Sequence, residues 1–130
     1  MRILIAEDDF ASRKLMQKFL SAYGECDVTI DGIEAVEAYI MALDMEKPYD
    51  LVCLDVMMPR VDGIKALKSI REFEHIRGIE GSNRAKVIIV TALANVNYIS
   101  DSFQTGLEAH LIKPIDLNEL VSTMEKLGLK

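Results

Sequence analysis

A carboxylate ends a short apolar run near the middle of the chain. Leu51 to Leu54 are four apolar residues, the length and type expected for a strand buried on both faces, and Asp55 follows them directly. In open parallel α/β sheets, ligands bind in the crevice outside the carboxyl ends of the strands. This position predicts a side chain that faces chemistry, although taken alone it suits a helix N-cap or a turn equally well.

Three further apolar runs end in residues that suit phosphate or metal. They are followed by the carboxylates of Glu7, Asp8 and Asp9, by the hydroxyl of Thr91, and by the ammonium of Lys113. Carboxylate oxygens bind hard divalent cations, and hydroxyl and ammonium groups donate hydrogen bonds to phosphoryl oxygens. Each ending alone is ordinary, since Thr91 suits a strand end and Lys113 an exposed loop. Four of them in one chain favour a shared site.

The chain must fold so that these strand ends meet, and its hydropathy pattern alternates strand and helix five times. Strands are predicted at 2–6, 27–30, 51–55, 86–90 and 109–112. Helices are predicted at 10–23, after Asp31-Gly32, at 64–73, at 95–105 and at 117–127. This alternation is typical of an α/β fold in which helices cover both faces of a parallel sheet.

Local signals predict the buried face of the first helix and the beginning of the last helix. In the first helix, Ala11, Leu15, Phe19 and Leu20 recur at helical spacing and predict the buried stripe. Asp116 precedes the last helix, where a side-chain oxygen can cap the first turn.

Length, charge and cysteine content exclude several classes of protein. The 130 residues suffice for one domain, and a net charge of -6 argues against a nucleic-acid partner, because phosphate backbones are held by clustered Lys and Arg. No apolar run approaches the ~20 residues of a membrane span, and the N-terminus turns acidic at Glu7 instead of forming a secretory signal. Cys26 and Cys53 lack metal-ligand spacing and are predicted to be buried, reduced thiols. These features predict a cytoplasmic protein without a membrane partner.

Taken in order, the motifs resemble those of a response-regulator receiver domain of the single-domain, CheY-like type. The resemblance covers essentially all of residues 1–130 and depends on the combination of Glu7-Asp8, Asp55, Thr91 and Lys113-Pro114. It implies one receiver domain with a flavodoxin-like (βα)5 three-layer fold. It also implies a five-stranded parallel sheet of order 2-1-3-4-5.

In such a fold Glu7, Asp8 and Asp55 would share one pocket. Two carboxylates ~5 Å apart repel by ~3 kcal/mol at an effective dielectric of ~20, so three carboxylates beside one lysine call for a divalent cation. Oxygen ligands at a phosphate site suit Mg²⁺ or Mn²⁺. The resemblance implies that Asp8 is a direct ligand, that Glu7 acts through water, and that the backbone carbonyl of Met57 is a further ligand. Asp9 would then begin the first helix.

The resemblance also implies the chemistry. Asp55 would take a phosphoryl group from a histidine of a sensor histidine kinase or a histidine phosphotransfer protein, while Lys113 and Thr91 bind phosphoryl oxygens. The protein would catalyse its own phosphorylation and dephosphorylation without being an enzyme for another substrate. In the family, the Thr91 contact is followed by movement of an aromatic at position 110. The surface of the fourth predicted helix, the fifth strand and the last helix then changes and controls a downstream target protein.

Two departures from the common family pattern carry predictions. His110 stands where Tyr or Phe is common, which predicts a weaker or pH-sensitive switch. Met57 and Leu93 stand two places after Asp55 and Thr91, where polar side chains in relatives can align an attacking water. Their apolar side chains predict slow hydrolysis of the acyl phosphate.

Three other functions remain open from the residues. A phosphatase of the haloacid dehalogenase type needs a second Asp two residues after the nucleophile, where this chain has Met57. A flavin carrier would need a loop rich in Ser, Thr and Gly after the first strand. A pseudo-receiver would use the same fold to bind protein without phosphorylation. Because the chain ends soon after the last predicted helix, the expected output is contact with another protein, by a monomer or a phosphorylation-dependent dimer.

Overall fold

A five-stranded parallel sheet with helices on both faces forms the protein. The computed structural model describes residues 1–58, 60–92 and 106–129. The strands are β1 (Arg2–Ala6), β2 (Glu25–Thr29), β3 (Leu51–Asp55), β4 (Lys86–Thr91) and β5 (Ala109–Ile112). The helices are α1 (Phe10–Leu20), α2 (Gly32–Asp44), α3 (Gly63–Ile76) and α4 (Leu117–Lys126), with a short 3-10 helix at Gly81–Asn83. The helix predicted at 95–105 lies outside the described residues.

The order of the strands confirms the predicted flavodoxin-like fold. Neighbouring strands pair in parallel in the order β2-β1-β3-β4-β5. Side chains alternate along each strand, so Leu4 packs with the cluster under α2 and α3 while Ile5 packs with the cluster under α1 and α4. Every residue of β3 is buried. The strand that ends at Asp55 is therefore fixed from both faces.

An aspartate caps the beginning of each of the four α-helices in the described part of the chain. Its side chain accepts a backbone N–H two or three residues further on, as an N-cap does. The four caps are Asp9, Asp31, Asp62 and Asp116. The caps at positions 9 and 116 confirm the predicted helix starts. Because Asp9 is occupied as a cap, Glu7 and Asp8 remain as the acidic pair after β1.

Several predicted boundaries were wrong by two or three residues. Strand β2 begins at Glu25 instead of position 27, because it pairs with Arg2 from the first residue of β1. Helix α1 ends at Leu20 instead of position 23. Helix α3 runs to Ile76 instead of position 73 and is followed by Gly78 at φ 71°, a left-handed conformation that ends helices.

Part of the predicted stripe of α1 is buried. Leu20 is buried as predicted and Phe19 packs partly buried against the same cluster, whereas Leu15 is 47% exposed and Ala11 is exposed. Met16 is buried in place of Leu15. Leu15 and Met16 are adjacent, so the apolar pattern contains two overlapping stripes, and only packing against the sheet selects one. Leu15 instead lines an apolar groove beside Leu117 of α4.

The structure tests the predicted burial of the two cysteines and the expected lack of a membrane span. Both cysteines are free, but Cys26 is half-buried, so the predicted burial is confirmed for Cys53 alone. Burial raises the pKa of Cys53 to about 12, which keeps this thiol protonated. Within the described ranges, none of the helices has the length and apolar character needed to cross a bilayer.

Candidate functional site

The carboxyl ends of four adjacent strands bring the predicted residues to one edge of the sheet. Asp55 and Thr91 are the last residues of β3 and β4, and both are buried. Glu7 directly follows β1, and Lys113 directly follows β5. The register of β4 and β5 fixes Lys113 further, because its backbone N–H donates to the Thr91 carbonyl at 2.9 Å. The sheet order therefore produces the predicted gathering.

Three carboxylates form the acidic centre of the site. One carboxylate oxygen from each of Glu7, Asp8 and Asp55 lies within 4.8 Å of the others. Glu7 and Asp55 are buried at 1% and 4% exposure, while Asp8 is exposed. Oxygen donors from one exposed and two buried carboxylates fit a small hard cation that keeps some of its water. The predicted cluster is confirmed as a group of side chains that could hold a metal.

Lys113 lies between the two buried carboxylates. Its Nζ donates to Glu7 Oε1 at 2.8 Å and to Oε2 at 2.9 Å, and it lies 3.4 Å from Asp55 Oδ2. The contacts with Glu7 are the shorter ones, so the ammonium group binds the Glu7 carboxylate more closely than the Asp55 carboxylate. The Asp8 carboxylate is exposed, and its role as the direct metal ligand stays a prediction.

The charges of the site are not balanced by its own side chains. Three carboxylates and one ammonium leave a net charge of -2 when all four groups are ionised. Burial raises the pKa of Glu7 and of Asp55 above their ordinary values, although the Lys113 ammonium opposes the shift in both. Burial also disfavours the charged form of Lys113, but Glu7 and Asp55 together raise its pKa. The net negative charge of the site therefore favours binding of a cation.

The loop between β3 and α3 approaches Asp55 closely. The backbone N–H of Met57 lies 3.3 Å from Asp55 Oδ1, and the N–H of Gly63 donates to the Val56 carbonyl at 3.1 Å. A Cβ atom on Gly63 would lie 2.3 Å from the Asp55 carbonyl oxygen, so only glycine fits there. Sequence analysis did not assign this role to Gly63. Its signal was a glycine directly after the capping residue Asp62.

Arg13 supports the other acidic loop. Its Nη1 donates to the backbone carbonyl of Glu7 at 3.0 Å and to that of Asp8 at 3.3 Å. The backbone N–H of Glu7 donates to the Thr29 carbonyl at 3.1 Å. These bonds fix the backbone from which both carboxylates project. The sequence contained a signal for this contact, a cation in the first turn of the helix that follows the acidic residues.

The residues of the predicted switch are only partly described. Thr91 is buried at the end of β4, and His110 is half-buried in β5, where it pairs with Ile89. Leu93 and segment 95–105 lie outside the described residues. The Met57 side chain is 61% exposed, whereas Met58 is buried. The described half of the predicted switch surface therefore comprises β5 and α4.

Comparisons with known proteins agree with this geometry. A sequence model of the response regulator receiver domain matches residues 3–125. The chain is 32% identical over 122 residues to the chemotaxis protein CheY of Treponema pallidum, covering 92% of this chain and 77% of that protein. It is 28% identical over 134 residues to probable histidine kinase 2 of Oryza sativa subsp. indica. The match covers 95% of this chain but only 12% of that kinase, so the chain resembles one part of a much longer protein.

A solved structure has the same fold. The CheX-CheY-BeF3-Mg²⁺ complex of Borrelia burgdorferi contains a chain with a TM-score of 0.81 and 30% identity. The match covers all of this chain and 90% of that one. The two chains therefore share their architecture over the full length of this one.

Proposed function

The chain belongs to the response regulator receiver domain family, and from this premise we propose that Asp55 accepts a phosphoryl group from a phosphohistidine. The donor would be a sensor histidine kinase or a histidine phosphotransfer protein. The observation that carries the proposal is the position of Lys113 Nζ between buried Glu7 and buried Asp55. A half-buried ammonium beside a strand-end carboxylate suits phosphoryl transfer, because charge spreads over the oxygens of the transferring group.

Each side chain has a separate part in the proposed step. An Oδ of Asp55 forms a bond to phosphorus while the P–N bond to the donor imidazole breaks, and that electron pair stays on the imidazole nitrogen. Lys113 Nζ binds a phosphoryl oxygen, for which it must exchange part of its contact with Glu7. The Thr91 hydroxyl donates a hydrogen bond to another phosphoryl oxygen. The product is an aspartyl phosphate.

A divalent cation belongs to the proposal. Glu7, Asp8, Asp55 and the carbonyl of Met57 would hold Mg²⁺, or Mn²⁺, at the acidic cluster. When bound, the cation supplies positive charge for the phosphoryl oxygens. The net negative charge of the cluster and the raised pKa values of Glu7 and Asp55 support this requirement.

The proposed output is a change of surface that controls a protein partner. Thr91 and His110 lie on neighbouring strands, so a movement at the phosphoryl site can reach β5. The responding surface would comprise segment 95–105, β5 and α4, and it would bind a downstream target protein as a monomer or as a phosphorylation-dependent dimer. The protein would catalyse only its own phosphorylation and dephosphorylation. We also propose a cytoplasmic location, which suits its two free cysteines.

One alternative function uses the same fold. A pseudo-receiver would bind a protein partner without phosphorylation, and it would need neither the cation nor Lys113. The haloacid dehalogenase type of phosphatase is disfavoured because Met57, with an exposed apolar side chain, stands where its second Asp would be.

Intact-protein mass after incubation with acetyl phosphate and Mg²⁺ separates these functions. The proposal predicts the added mass of one phosphoryl group, and loss of that addition in Asp55→Asn or in the presence of EDTA. Asp9→Asn is the matched control, because this substitution retains a good N-cap two residues from Glu7. No added mass in the wild type would favour the pseudo-receiver.

A further inference from the structure

The loop that carries Met57 is held from outside the acidic cluster. Arg60 lies in this loop, and its Nε and Nη2 donate to Asp31 Oδ2 at 3.0 and 2.7 Å. The Asp31 side chain is 7% exposed and that of Arg60 is 54% exposed. Two bonds from one guanidinium to one buried oxygen define a single geometry. The ion pair therefore joins the β3–α3 loop to the beginning of α2.

Asp31 is itself fixed in place. It is the N-cap of α2, and its Oδ1 accepts the backbone N–H of Glu34 at 2.9 Å. That hydrogen bond, followed by the contact with Arg60, lowers the pKa of the Asp31 carboxyl. The carboxylate therefore stays ionised, with one oxygen used by the helix and the other by the loop.

The backbones of the loop and of α2 also meet closely. A Cβ atom on Gly32 would lie 1.9 Å from the Val61 carbonyl oxygen, so the approach requires glycine. Arg60 has φ 65°, a left-handed conformation that costs energy for a residue with a side chain. The ion pair offers a physical reason why this conformation is retained at an arginine.

The other end of the same loop lies at the proposed cation site. The Met57 N–H contacts Asp55 Oδ1, and Met58 N–H donates to the Val56 carbonyl at 3.1 Å. The Met57 carbonyl and the Met58 N–H belong to one peptide plane, so the bond to Val56 sets the direction of this carbonyl, and the contact of Arg60 with Asp31 holds the chain two residues beyond Met58. We propose that Arg60 and Asp31 are a positioning pair that holds the loop so that the Met57 carbonyl can ligate the cation. This inference rests on the proposed function, because it assumes that the cluster binds Mg²⁺.

Cation selectivity distinguishes positioning from general stability. Mg²⁺ demands near-ideal octahedral geometry, whereas Ca²⁺ accepts variable geometry and longer bonds. Loss of a positioning contact should therefore weaken Mg²⁺ binding more than Ca²⁺ binding. A general loss of stability would weaken both equally, or neither.

Calorimetric titration of Mg²⁺ and of Ca²⁺ into the full chain provides the test. Arg60→Gly removes the side chain and suits the left-handed backbone, and Asp31→Asn retains the helix cap. We expect each variant to bind Mg²⁺ about tenfold more weakly, with a smaller change for Ca²⁺. The double variant should bind Mg²⁺ no more weakly than either single variant, because both remove one interaction.

A second ion pair gives a matched control. Arg77 Nη1 lies 2.7 Å from Asp44 Oδ1, and this pair joins the other ends of α2 and α3. Arg77→Gly and Asp44→Asn remove an ion pair of the same length at the opposite ends of the same two helices, far from the cluster. We expect both variants to bind Mg²⁺ as the wild type does.

The outcomes separate this inference from the proposed function. If the wild type binds Mg²⁺ and the affinities of Arg60→Gly and Asp31→Asn lie within twofold of the wild-type affinity, the positioning role is wrong and the proposed function stands. Equal losses of Mg²⁺ and Ca²⁺ affinity would also contradict positioning. A wild type that binds no Mg²⁺ at millimolar concentration would overturn the inference together with the cation requirement.

Discussion

Buried charges lie at both ends of the sheet, and the two groups are built differently. At the carboxyl end, Glu7, Asp8 and Asp55 form a group of three carboxylates, and Lys113 contacts Glu7 and Asp55. At the amino end, Arg71 and Arg84 face Glu74 and Glu108, so two cations balance two anions. We call these groups the carboxyl-end cluster and the amino-end cluster. The first retains excess negative charge, whereas the second is neutral.

The amino-end cluster is satisfied by its own chain. Glu74, which has no exposed surface, accepts from Arg71 at 2.5 Å, from the Tyr39 hydroxyl at 2.6 Å and from the Ala85 N–H at 2.9 Å. Arg71 also donates to Glu108 at 2.7 Å and to the Gly106 carbonyl at 2.8 Å. Burial and the bond to Glu74 raise the pKa of Tyr39, so its hydroxyl keeps its proton.

The difference separates structural from functional charge. A buried ion group that is neutral and fully hydrogen-bonded holds helices and strands together, and it needs nothing from solution. A buried group with unbalanced charge lowers stability until a ligand supplies the missing charge. The comparison therefore supports, from charge alone, the proposal that the carboxyl end binds a cation.

The largest expected effect comes from breaking the amino-end cluster. Arg71→Met leaves Glu74 buried without its cation, which should lower the free energy of unfolding by about 3–5 kcal/mol in urea titration. Arg84→Met is the control, because Arg84 is 37% exposed and 3.5 Å from Glu108, and it should cost less than ~1 kcal/mol. A loss of the same size in both variants would contradict the structural role of Arg71.

Removing a charge from the carboxyl-end cluster should have the opposite sign. Asp55→Asn removes a charge that burial, and to a lesser extent repulsion from Glu7, disfavours, so in EDTA it should raise the free energy of unfolding by on the order of 1 kcal/mol, with part of the effect screened by solvent. Saturating Mg²⁺ should stabilise the wild type and reverse the order of the two proteins. A variant less stable than the wild type in EDTA would show that this cluster is balanced after all.

The pH dependence of stability should also differ between EDTA and Mg²⁺. Burial raises the pKa of Glu7 above 4.5 and of Asp55 above 3.8, so above these values the folded state binds more protons than the unfolded state. In EDTA, this contribution to stability is present at low pH and is lost as pH rises through the raised pKa values. Urea titrations between about pH 4 and pH 7 should show the loss in wild type relative to Asp55→Asn. In saturating Mg²⁺, the pH profiles of wild type and Asp55→Asn should have the same slope. Parallel profiles of the two proteins in EDTA would contradict the prediction.

The smallest expected effect concerns the exposed side chain beside the carboxyl-end cluster. Met57→Asn places a polar group where a water could be aligned for attack on the acyl phosphate. We expect hydrolysis of the phosphorylated protein to accelerate roughly fivefold, a change of about 1 kcal/mol in the barrier. Met57→Leu should keep the slow rate. Loss of the wild-type phosphoryl group within seconds in Mg²⁺ would contradict the shielding role.

The carboxyl-end cluster could be predicted from the sequence because each of its residues follows a strand. A strand end is a local signal, and parallel sheet order brings such ends together. The amino-end cluster has no local signal. Its bonds join Tyr39 to Glu74 and Arg71 to Glu108, which are 35 and 37 residues apart. A charged residue on a helix is usually exposed, so Arg71 and Glu74 gave no sign of burial, and α3 was predicted to end too early.

The Arg60–Asp31 pair was missed for the same reason. Its partners are 29 residues apart, and Asp31 was predicted only to precede the second helix. The prediction for α1 was wrong at Leu15 and Ala11 for a different reason, since Leu15 and Met16 fit the helical period equally well. Sequence patterns predict periodicity and strand ends, whereas packing decides which of two compatible faces is buried.

Chemical mapping of the phosphorylated residue tests most directly whether the carboxyl-end cluster is a phosphoryl acceptor. The protein is incubated with Mg²⁺ and a phosphohistidine donor, and the acyl phosphate is reduced with borohydride before peptide mass spectrometry. Reduction converts a phosphorylated aspartate to homoserine. We predict homoserine at position 55 and unchanged aspartate at position 8. An unmodified residue 55, or modification at another carboxylate, would contradict the assignment of Asp55 as the acceptor.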